Sequence, residues 1–132
     1  SAWRPFMLGQ YGQTVMLCVK EVEDMLRLRT SGNIKEGGHE LVRKAFDPEE
    51  GILCSPENTA LENDGIADIL SGFFKRYKGI PESAPLSIHQ AAKVMAFASY
   101  CLQTIDSIHL APKEDGEPKP EEAPYEFEFL TE

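Results

Sequence analysis

Three cysteines, Cys18, Cys54 and Cys101, and three histidines, His39, His89 and His109, are the side chains of this chain that could supply a thiol nucleophile and its base. The pairings on offer are Cys54 with His39, or Cys101 with His89 or His109. Such a pair is defined by geometry, not by spacing in the chain. Cys101 falls inside the apolar run Val94 to Leu102, where desolvation keeps a thiol protonated and inert. Cys54 precedes a candidate helix start, and helix N-termini lower thiol pKa values, so a thiol-dependent or hydrolytic enzyme would centre on Cys54. An odd number of cysteines among apolar neighbours, without CxxC spacing, reads more simply as free core thiols in a reducing, intracellular compartment, the cytoplasm or a host-cell cytoplasm.

Metal chemistry needs three or four ligands on facing elements, and no two histidines stand four residues apart on one helical face. Gly9-Gln10-Tyr11-Gly12 and Gly37-Gly38 lack the third glycine and the strand-to-helix context of a phosphate cradle. Glu62-Asn63-Asp64-Gly65 lacks the carboxylate spacing of a calcium loop. Neither a metal, a cofactor nor a catalytic residue is therefore expected. One cluster has binding chemistry: Lys75, Arg76 and Lys78, among Phe73, Phe74 and Tyr77, could clamp phosphates or an acidic peptide. The plainer account is that cations complement the dipole at a helix C-terminus while the aromatics face a core.

These residues must be positioned by helices. Val15, Cys18, Val19, Val22, Met25 and Leu26 recur at intervals of three and four, which predicts an amphipathic helix from Thr14 to Thr30 ended by Ser31-Gly32-Asn33. The segment before it, residues 1–13, reads as an irregular arm whose Trp3, Phe6, Met7 and Leu8 fold back on the body or exchange between subunits. A two-turn helix is expected over His39 to Phe46, stopped by Asp47-Pro48. Ile52-Leu53-Cys54 is either an isolated strand or an anchored loop. A helix over Asp64 to Lys78 can start at Ser55-Pro56-Glu57 or at Asn63-Asp64, with Ile66, Ile69, Leu70, Phe73 and Tyr77 as its stripe. Ser87-x-x-Gln90 forms a capping box before Ile88 to His109, a stretch apolar around most of its circumference and so expected at the centre of the domain. Ser87 to Ala92 faintly resembles the opening of a helix-turn-helix, but the helix continues where that motif must turn.

After Ala111 the composition changes to Pro, Lys, Glu, Asp and Gly, too polar to offset the ordering of its backbone, and predicts a flexible acidic tether. It ends in Tyr125-Glu126-Phe127-Glu128-Phe129-Leu130, where a two-residue period puts aromatics on one face of an extended chain. The net charge is −9, of which residues 112–132 carry −6. Such a field repels nucleic acid and anionic lipid and favours basic or apolar protein surfaces. The longest apolar run, nine residues, is far below the ~20 that cross a bilayer.

The expectation is an all-α or predominantly α domain, residues 1–111, of three long helices and one or two short ones, followed by a tail, residues 112–132. Its expected role is a non-catalytic protein-interaction module, an adaptor, assembly or accessory protein and a homo-oligomer. Its partner-binding residues would be Tyr125, Phe127, Phe129 and Leu130 in the tail, and Lys75, Arg76 and Lys78 in the body. The rivals are an enzyme centred on Cys54 and a nucleic-acid-associated accessory protein of viral or phage type using the basic cluster.

Overall fold

Glycine and proline punctuation, capping side chains and apolar spacing cut the chain into helices. In the computed structural model, which describes residues 1–108, five of them form: α1 (Trp3–Met7), α2 (Tyr11–Arg29), α3 (Gly38–Ala45), α4 (Ala60–Tyr77) and α5 (Ile88–Asp106). There is no strand among the described residues, so the protein is all-α, with three long helices and two short ones.

The apolar stripe of α2 is wholly used. Val15, Cys18, Val22 and Leu26 are completely buried, and α2 packs against α1, α3, α4 and α5. Its most extensive partner is α5, and the two run in the same direction. At one end Gly12 lies against the connector that leads into α5, so close that a Cβ there would meet the Glu82 carbonyl oxygen at 2.0 Å. At the other end the Arg29 guanidinium donates to the carbonyl of Ile108, just past α5. Helix α2 closes with Ser31 and Gly32 both in the left-handed region, at φ 57° and 69°. Gly32 N–H donates to the Arg27 carbonyl at 3.0 Å, which satisfies one of the last carbonyls.

Helices α4 and α5 each begin with a reciprocal capping box. Thr59 Oγ1 accepts from Glu62 N–H at 3.1 Å and the Glu62 carboxylate accepts from Thr59 N–H at 3.3 Å. Ser87 and Gln90 repeat the arrangement at 3.1 and 2.7 Å. Aromatic rings join the two helices: Phe73 meets Phe97 at 5.2 Å and Tyr77 meets Phe97 at 6.2 Å, both edge to face.

Several expectations change. The arm at residues 1–13 is not irregular: α1 forms there, and α2 starts at Tyr11, three residues before Thr14. Thr14 is buried in the first turns and its hydroxyl donates back to the Gln10 carbonyl at 2.8 Å. Ile52-Leu53-Cys54 is an anchored loop, with Leu53 completely buried and its N–H donating to the Ala45 carbonyl at 2.9 Å. Neither proposed start of α4 is used, because the Thr59 box lies between them. Asn63 is buried, and its amide ties the loop by donating to the Ser55 carbonyl at 3.2 Å. The centre of the domain is α2, not α5. The acidic tail and its aromatic terminus lie outside the described residues.

Two substitutions test this core. Cys101 is completely buried against apolar neighbours. Replacing it with serine places a hydroxyl where its hydration is lost, so Cys101→Ser is expected to cost about 1–3 kcal/mol in chemical denaturation. Ser71 on α4 is 1% exposed and its Oγ has no hydrogen-bond partner among the described residues. Ser71→Ala removes that desolvated group and is expected to leave the denaturation midpoint unchanged or raised, whereas a fall would show that the hydroxyl is paired.

Candidate functional site

Helix α1 is pinned by Ala2 and Pro5, both buried, and Trp3 and Phe6 are partly buried against the core beside them. Their rings stack at 5.7 Å, and Phe6 continues to Tyr11 of α2 at 5.8 Å. Opposite them, α5 presents Ala92, Met95, Ala96 and Ser99. Between the two helices is an open groove of about 410 Å³ lined by Trp3, Phe6 and these four residues. Its α5 wall continues at both ends: Ile88, Ala92, Ala96 and Tyr100 follow at four-residue intervals, one above another on the helix, and all are exposed. Ile88 is 47% and Tyr100 52% accessible, and Met7 and Leu8, at the end of α1, reach 64% and 65%. Exposed apolar side chains are ordinary singly, whereas a contiguous set around a groove marks an interaction surface. Arg4 and Lys93 are exposed cations on the two helices that form it.

The basic cluster at the end of α4 is differently occupied. Lys78 Nζ donates to Glu23 Oε1 of α2 at 2.6 Å, and the same oxygen accepts from the Gly38 backbone N–H at 2.6 Å. The two glycines before α3 make this possible: a Cβ on Gly37 would lie 2.6 Å from Glu23 Oε1, and Gly38 has φ +61°. Burial pushes the Glu23 carboxyl up, but the hydrogen bonds from Lys78 and Gly38 and the charges of Lys78 and Arg27 outweigh it and hold the group below its ordinary value. Arg76 stacks over the Tyr77 ring at 5.1 Å, and Lys75 is exposed. Phe73 and Tyr77 face Phe97, on the side of α5 that meets α4 and not the side that meets α1. Of the three cations, Lys78 thus joins α2, α3 and α4.

The thiols are not activated. Burial pushes Cys18 and Cys101 up to about 12, with Glu21 adding to the effect at Cys18. Cys54 is raised by burial and then by the charge of Asp47, and its thiol donates to the Asp47 carbonyl at 3.3 Å. Attack requires the thiolate, which these surroundings disfavour. A cavity of about 220 Å³ beside Cys54, with Phe46, Pro48, Ala60, Asn63 and Asp64, contains no histidine. His39 and His89 are exposed, and His109 lies outside the described residues, as do Tyr125, Phe127, Phe129 and Leu130. Among the described residues no three His, Cys, Asp or Glu are placed to hold a metal, and no helix is long and apolar enough to cross a membrane.

Sequence reasoning placed Trp3 and Phe6 against the body but did not find the groove. The available signal was the four-residue ladder Ile88, Ala92, Ala96, Tyr100, an apolar row in excess of what the neighbouring helices cover.

The Glu23 node predicts an acid limb. A carboxyl whose folded value is depressed stabilises the fold above its unfolded value, about 4.5, and loses that contribution as pH falls through the folded value. Glu23→Gln is therefore expected to cost about 0.5–1 kcal/mol at neutral pH, allowing for solvent screening of a partly exposed pair. The difference from the parent should shrink as denaturation is repeated toward pH 3; a pH-independent difference would show that the charge is not what matters.

No curated protein and no solved structure matches the chain. One family model does, over residues 1–105, a span that takes in every groove residue and stops short of the acidic segment.

Proposed function

We infer that this chain, which belongs to the family described as protein of unknown function (Hypoth_ymh), is a non-catalytic interaction module whose helical body receives an apolar peptide or helix in the groove between α1 and α5. The observation that carries this reading is the conjunction of a stacked Trp3–Phe6 pair and an exposed apolar ladder on α5, with the exposed cations Arg4 and Lys93 on the same two helices. Aromatic anchors in a partly desolvated groove with charge at the rim are the usual anatomy of a protein-binding hot spot. Alanines at 92 and 96 leave the floor low, so a partner backbone can approach closely.

The alternative on the basic cluster is weaker, because Lys78 is engaged with Glu23 and Arg76 with Tyr77. The alternative on Cys54 would need a thiolate, and burial and Asp47 both act against one. The reading also accommodates a partner supplied by a second copy of the chain, the homo-oligomer of the sequence expectation.

Ala96→Glu tests the proposal. Position 96 is exposed, so the substitution is expected to leave the thermal midpoint within a degree or two of the parent, as for surface changes generally. It puts a charge on the apolar floor, which is expected to weaken capture of a groove-dependent partner from a lysate of the source cells by at least tenfold, about 1.4 kcal/mol. Lys35→Glu, at an exposed site away from the groove lining, serves as the matched control. Equal capture by the parent, the Ala96→Glu variant and the control would overturn the reading.

A further inference from the structure

The geometry points to the chain's own C-terminal segment, Tyr125 to Leu130, as the occupant of the α1–α5 groove of the same molecule, an inference that rests on reading that groove as a docking surface.

The first argument is chemical fit. The segment offers Tyr125, Phe127, Phe129 and Leu130, interleaved with Glu126 and Glu128 and flanked by Glu121, Glu122 and Glu132. The groove offers apolar walls, aromatic on one side and low on the other, with Arg4 and Lys93 exposed on the same two helices. An aromatic-acidic peptide matches both features at once, aromatics to the walls and carboxylates to the cations. Addition as a β-strand, the other way such a segment can dock, requires a sheet edge, and the described residues contain no strand.

The second argument is reach. The chain leaves the described structure at Ile108, whose carbonyl is held by Arg29. Met95, midway along the groove, is thirteen residues back along α5, about 20 Å at 1.5 Å per residue. Sixteen residues separate Ile108 from Tyr125, a covalent reach of up to ~55 Å. A tether of that length with the coil behaviour its composition predicts has a root-mean-square span of roughly 20–24 Å, which matches the distance to be covered. Effective concentration is highest under that condition and reaches the order of millimolar, so even a weak peptide would fill the groove of its own molecule ahead of a second copy. The segment would then compete with any external partner for the same walls.

The only tryptophan in the chain, Trp3, lines the groove and reports its occupancy. In the full-length protein, Phe127→Glu with Phe129→Glu is expected to shift Trp3 emission to the red and raise its quenching by acrylamide, with the circular dichroism unchanged. A synthetic peptide of residues 121–132 should reverse both changes in that variant, and only at about millimolar concentration, since the tether no longer supplies it. Lys93→Glu is expected to raise quenching in the parent but not further in the double variant, and an equal effect in both backgrounds would overturn the assignment. So would quenching that is indifferent to Phe127→Glu with Phe129→Glu, or a peptide that restores nothing. Protection that disappears on dilution together with a fall in sedimentation coefficient would place the segment in a second copy and overturn the same-molecule assignment. If the segment variant leaves Trp3 unchanged while Ala96→Glu still abolishes capture, the docking surface stands and its internal occupant does not.

Discussion

The close passage of the α4–α5 connector over Gly12 is the constraint on which the rest of this fold depends. Helix α2 supplies a stripe of completely buried side chains and touches the four other helices, and α5 is its largest partner. For two parallel helices separated by α3 and α4 in sequence, the chain must return to the starting end of α2 before α5 can begin. It does so at Glu82 to Ala84, with the backbone packed where a side chain at position 12 would stand. Once α5 is laid down from that point, one of its sides meets α2, Phe97 meets Phe73 and Tyr77, and Ala92 and Ala96 fall opposite α1. The groove is therefore a result of where α5 starts. A five-residue α1 leaves the far end of the α5 ladder, at Tyr100, without cover.

Glu23 closes the opposite side of the bundle by an independent device. One carboxylate oxygen holds the end of α4 through Lys78 and the start of α3 through a backbone N–H, and the paired glycines before α3 give it room. The same arrangement ties part of the basic cluster at the end of α4 into the fold. Lys78 and Arg76 have partners within the fold, and Tyr77 between them joins Phe73 in the α4–α5 contact.

What was legible in the sequence was local. The stripe of α2, the Ser87 capping box, the Ser31-Gly32 termination and the stop at Asp47-Pro48 all act within a turn or two, and each appears where its residues predict. The Thr59-x-x-Glu62 box is equally local, but Ser55-Pro56 and Asn63-Asp64 on either side of it carry start signals of the same kind. Helix α1 was hidden because a five-residue helix containing Pro5 and followed by Gly9 has almost no periodicity to detect, and is held by tertiary contact through Ala2 and Pro5. The breadth of the apolar surface on α5 suggested a central helix. Composition cannot distinguish a face covered by neighbours from one left open, and here part of that breadth is the groove wall.

The order of the helices along the chain also bears on how the protein comes into being. Helix α2 ends at Arg29 and α5 ends at Asp106, so its largest partner is complete only 77 residues later. At ribosomal rates of about 5–20 residues per second, the stripe of Val15, Cys18, Val22 and Leu26 spends roughly 4–15 s without that cover. Helix α1 is already made by then, α3 and α4 emerge in that interval, and all three touch α2 and can shield part of it. The nascent chain is thus exposed to aggregation and to chaperone capture through its second helix, and release waits on synthesis of the last.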